Sequence, residues 1–224
     1  GDATRQIGAF TVLVSDCWTA AFHTRTYSQI SFRQSLHGDL PPLIRDIFPY
    51  RLATNFMLGD DSVYLMGLMH ETFHAYQGML LPDRLAAAEK LVRLEDQYPW
   101  DDHKDEWKAE LDLLDQAVHA NSQAETLQLA QQFLDQRAQR RTEMGLSAEM
   151  VAFEQQREWL EGLAQYAGLS AVHLAATTPG YTPVPALKAQ PGFSGYEAFE
   201  QFYQNQLSAV KLQNGPGETR FYYT

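Results

Sequence analysis

A single change of rhythm governs how this chain can fold. From about residue 60 onward, apolar side chains return roughly every 3.6 positions, the repeat of a helix with one buried face. Asp60 and Asp61 are placed to cap a helix over 62–80 that stops at Leu81-Pro82. Polar amphipathic helices are expected over 83–97, 101–120 and 123–144. In the second of these, Trp107, Leu111, Leu114 and Val118 mark the buried side. Gly145 ends one helix and Ser147 caps the next, over 148–176. The stretch 177–195 carries four Pro and three Gly and reads as a long irregular loop, and a last helix spans 196–213.

The first sixty residues lack that rhythm. Residues 9–14 and 27–32 are short, β-branched or aromatic and partly alternating, which predicts two strands. Pro41-Pro42 and Phe48-Pro49 interrupt the chain before any long helix can begin. The expected fold class is therefore a predominantly helical α+β protein. A small strand-containing part, 1–60, stands beside a helical region, 61–224, together one compact domain. The apolar tail Phe221-Tyr222-Tyr223 reads as the start of a buried element, so the protein is expected to continue beyond it.

Length and charge narrow the function classes. A chain of 224 residues is long enough to bury a full core. Its net charge of −11 argues against nucleic acid and against an anionic membrane surface, both of which need clustered cations. No apolar run reaches 18 residues, so no membrane span is expected in this chain. The opening Gly1-Asp2-Ala3, without an initiator Met, reads as a processed or engineered end, which would fit an exported protein. Cys17 stands alone, which excludes an internal disulfide and any thiolate-rich zinc site. A metal here would have to be held by His and carboxylates.

Within the first long helix lies His70-Glu71-Thr72-Phe73-His74. Residues four apart share a helix face, so both imidazoles can reach one tetrahedral zinc. Glu71 lies about 100° around the helix from His70, within reach of a metal-bound water without ligating the metal. Val63, Leu65, Met66, Leu68 and Met69 make the helix nearly apolar and hence buried, where two His and a Glu are costly unless paired or metal-bound. Gly67 and Gly78 are expected to leave space near the metal.

Zinc needs a third protein ligand and an open fourth position. His103, His119 and His173 compete for that role, yet none follows His74 at short spacing. Glu161, in Trp159-Leu160-Glu161-Gly162-Leu163-Ala164-Gln165-Tyr166, sits mid-helix among apolar neighbours, where a carboxylate is costly without a partner.

The two segments together resemble the gluzincin zinc metallopeptidases. The resemblance implies a zincin-like domain holding one Zn2+ ion. It makes His70, His74 and Glu161 the ligands and Glu71 the base of a zinc-dependent peptide hydrolase acting on a peptide or protein. The stretch between the motifs, 75–160, is longer than in well-known members, which implies a helical insertion. Some members place an Asp four residues beyond the ligand Glu to orient a His; here that position is Gln165. Glu158 and Glu154 share the face of Glu161 and are candidates for that orienting role, or for a solvated acidic edge; Glu158 is also an alternative ligand. Tyr166, Tyr203, Tyr222, Tyr223 and His173 remain open as oxyanion stabilisers. Two other classes stay in view: a non-catalytic helical module with a structural zinc or none, and a di-iron carboxylate bundle. The bundle needs a second Glu-x-x-His, and the chain has none.

Overall fold

The structure is a computed structural model and describes residues 10–50, 52–53, 61–189, 193, 195, 197–210 and 218–222. It is predominantly helical, with one two-stranded sheet among the described residues. Among these residues no helix is long and apolar enough to cross a membrane. The chain divides into two compact units, 1–76 with 168–200, and 77–167 with 201–224.

In the first unit, β1 (Phe10–Val14) and β2 (Cys17–Ala21) form an antiparallel hairpin, with Phe10 opposite Ala21 and Val14 opposite Cys17. The strand expected at 27–32 is instead part of helix α1 (Arg25–Asp39). Thr24 caps that helix by accepting the Tyr27 N–H at 3.2 Å. Tyr27, Ser28, Ser31 and Phe32 are half-buried, a helical spacing, while Ile30 is exposed. Cap and periodicity outweighed β propensity. Pro42 does not merely break the chain, because it opens the short helix α2 (Pro42–Arg45) at a position that needs no N–H.

Helix α3 (Asp61–Leu80) matches the expected first long helix, although Asp60 lies outside the described residues. Its Gly67 does not open space for a metal: a Cβ there would stand 2.8 Å from the Phe22 ring, so the glycine seats that ring on the helix. Helix α8 (Leu163–Thr177) comes equally close at Gly168, whose missing Cβ would stand 2.9 Å from the Met66 carbonyl oxygen. The proline-rich stretch that follows contains the short helix α9 (Pro185–Lys188), started by a proline. Helix α10 (Glu197–Ser208) covers part of the last expected helix; 211–213 lie outside the described residues.

The second unit holds α4 (Pro82–Leu91), a 3-10 turn (Val92–Gln97), α5 (Lys104–Val118), α6 (Gln123–Glu143) and α7 (Ala148–Arg157). Ser122 and Ser147 each accept a backbone N–H at 3.2 Å and start α6 and α7. Gly145, at φ +60°, ends α6 in a left-handed turn that lets Leu146 N–H reach the Arg141 carbonyl. Trp107 and Leu111 are fully buried as expected of α5, but Val118 is exposed and Glu110 is buried in its stead. The core joins Leu94, Tyr98, Trp107, Phe153 and Phe221, the last from a 3-10 turn (Glu218–Tyr222). The expected single helix over 148–176 is interrupted by a π-helical segment, Glu158–Gly162.

Candidate metal centre

Helix α3 delivers His70, Glu71 and His74 to one place. The two imidazoles are buried, their rings are nearly perpendicular at 87°, and their Nε2 atoms stand 3.1 Å apart. Ligand atoms of His70, Glu71 and His74 all lie within 4.8 Å of one another, and Glu71 is half-buried. Two nitrogens each about 2.0–2.1 Å from a tetrahedral zinc are about 3.3–3.4 Å apart. The observed pair is within a few tenths of an ångström of that separation, so the residues present fit a zinc ion.

The helix is not buried on all sides, as its apolar composition had suggested. Val63, Leu68, Met69, Tyr76 and Met79 are exposed, whereas His70, His74 and Gln77 are buried. The spacing of four and then three puts those polar residues on one stripe. The buried stripe of this helix is thus polar and its exposed surface partly apolar.

Gln77 was not picked out by the sequence. In the second unit its Nε2 donates to the carbonyl oxygens of Trp159 at 2.9 Å and Leu160 at 3.3 Å. Those carbonyls belong to the π segment, whose shifted register takes backbone groups out of the regular ladder. π segments recur at functional sites. Gln77 stands three residues beyond His74, and that spacing was the available signal.

Glu161 lies in this π segment, in the second unit. It is buried, and its Oε1 is 3.2 Å from Arg157 Nη1. Arg157 is a second residue that sequence reading passed over, although a Glu four residues after an Arg is a recognisable helical pair. Gln165 is buried.

Glu154 and Glu158 face a layer of arginines from α6. Glu154 accepts from Arg140, from Arg141 at 2.5 Å and from the Tyr98 hydroxyl. Glu158 accepts from Arg137 at 2.9 Å. Burial pushes the Glu154 carboxyl up, but Arg140 and Arg141 outweigh it and hold the group below the usual carboxylate range. At Glu110 and Glu158 burial wins over the arginines and the carboxyls stand above it. Arg140, fully buried, also lies 3.6 Å over the Trp107 ring.

The other histidines are placed differently. His173 Nδ1 is 2.6 Å from Glu200 in the first unit, and His119 Nδ1 is 2.7 Å from the Asp115 carbonyl. His103, Glu106 and Glu143 form a further His/carboxylate group, but Glu143 is exposed and accepts from Gln139, the ordinary condition of a solvated helix end. Of the oxyanion candidates, Tyr166 is exposed, Tyr203 and Tyr222 are half-buried, and Tyr223 lies outside the described residues.

Compared with protein-family models, with curated proteins and with solved structures, the chain matches none. The reading of this centre therefore stands on its own residues.

Proposed function

We propose that the chain is a zincin-like, zinc-dependent peptide hydrolase in which His70, His74 and Glu161 hold one zinc and Glu71 is the general base. One observation carries the reading: two buried imidazoles present their Nε2 atoms 3.1 Å apart, with the Glu71 carboxylate beside them. Two further features support it. The stripe that carries the pair is buried and polar, and Glu161 is a buried carboxylate on a π segment. Zinc bound there would polarise a carbonyl and lower the pKa of a bound water towards neutrality. Glu71 would take a proton from the attacking water and pass it to the departing amine, so that one C–O bond forms, one C–N bond breaks and the base is restored.

The competing reading is a non-catalytic histidine pair, since nitrogens 3.1 Å apart can also share a proton. Metal analysis and Glu71→Gln separate the two. The hydrolase reading expects about one zinc per chain in both proteins, and a loss of at least about 100-fold in cleavage of a fluorogenic peptide library by the variant. A chain that takes up no zinc, or an unchanged rate in Glu71→Gln, would overturn it.

A further inference from the structure

Glu161 has a resident partner that nothing in the proposed mechanism uses. Arg157 closes α7 one residue before the π segment begins, and its Nη1 lies 3.2 Å from Glu161 Oε1. Both side chains are more than nine-tenths buried. The neighbouring carboxylates, Glu154 and Glu158, are matched to Arg137, Arg140 and Arg141. Arg157 is paired instead with Glu161.

A glutamate has three rotatable bonds, and a carboxylate that must ligate a metal through one oxygen gains from having the other held. A buried guanidinium at one oxygen does this, because it limits the rotamers the carboxylate can adopt. Building on the ligand set proposed above, we propose that Arg157 is a positioning residue that holds Glu161 Oε1 and so presets the carboxylate for the metal.

The test is zinc affinity, measured by competition with a chromophoric chelator on the full chain, together with the absorption spectrum of the cobalt(II)-substituted protein. Partners that orient a metal ligand typically contribute 10- to 100-fold in affinity. Arg157→Gln is expected to weaken zinc by that factor and to alter the cobalt spectrum. Arg157→Lys, which keeps the charge, is expected to stay within about threefold of the parent. Circular dichroism of the metal-free proteins checks folding, and if Arg157→Gln does not fold, Arg157→Met, which keeps the apolar stem, is read in its place. Parental affinity in the Gln or Met variant overturns the proposal, as does a Lys variant as weak as they are. Glu161→Gln keeps the two ideas apart. If it binds zinc like the parent, the ligand assignment itself fails. If it loses zinc while Arg157→Gln does not, only the role of Arg157 falls.

Discussion

At the scale of single residues, two glycines make opposite demands. Replacing a helical glycine by alanine gains about 1 kcal/mol from backbone entropy alone. At Gly168 the new methyl would meet the Met66 carbonyl oxygen at 2.9 Å, and that atom is fixed in the backbone of α3. Gly168→Ala is therefore expected to lose about 1–3 kcal/mol in urea unfolding despite the gain. At Gly67 the obstacle is the far end of the Phe22 ring, which can turn aside. Gly67→Ala should change stability by less than about 1 kcal/mol, because the propensity gain offsets the shift. The proposed zinc ligands make a separate prediction. Under the proposed zinc centre, loss of either imidazole would remove a ligand, so His74→Ala should leave the purified chain with well under one zinc, measured by elemental analysis.

At the scale of elements, the cap of α1 and the tie to the π segment are the informative features. Thr24 provides the acceptor that starts α1 where β propensity had pointed to a strand. Thr24→Ala is expected to cost about 1 kcal/mol of stability in chemical denaturation. Gln77 satisfies two carbonyls of the π segment from a helix far away in sequence. In Gln77→Leu those buried acceptors lose their donor at a cost of about 1–3 kcal/mol, which thermal unfolding would register. A parental melting point for Gln77→Leu would show that the two hydrogen bonds add no net stability.

At the scale of the whole molecule, the second unit is organised around charge as much as around apolar packing. Glu110, Arg140 and Glu154 are fully buried in one ion-pair network. Removing one member of such a network leaves its partners charged and desolvated, so Glu154→Gln is expected to cost about 3–5 kcal/mol at pH 7. The pH dependence has a definite sign. Because the arginines hold Glu154 below its usual range, its contribution is complete above the unfolded value of about 4.3 and is lost as pH falls through the lower folded value. The stability gap between parent and Glu154→Gln should therefore be constant near neutrality and close below about pH 4. Glu110 and Glu158 work in the other direction: their raised folded values mean that the fold gains protons first on acidification. Urea unfolding from pH 7 to 3 would show both trends, and a gap that widened in acid would contradict the assignment.

Much of this molecule is written in local spacing, and that part was legible in the sequence. His70, Glu71 and His74 could be brought together from the helical repeat alone, because residues four apart share a face whatever else the chain does. The boundaries of α3, α5 and α6, and the start of α7, followed likewise from caps and stops within a few residues. What spacing cannot show is which partner a side chain finds across a gap of many residues. Arg137 and Arg140 look like part of a solvated helix face until Glu110, Glu154 and Glu158 meet them. The π segment is invisible in composition, since the Gln77 side chain that binds its carbonyls lies 82 and 83 residues away. The sequence by itself determined a helical chain that brings His70, Glu71 and His74 together, because that depends only on the pitch of a helix. Tertiary structure alone decided that much of the apolar surface of α3 is exposed and that Glu110, Glu154 and Glu158 meet the arginines of α6, because burial and long-range ion pairing depend on neighbours that folding supplies.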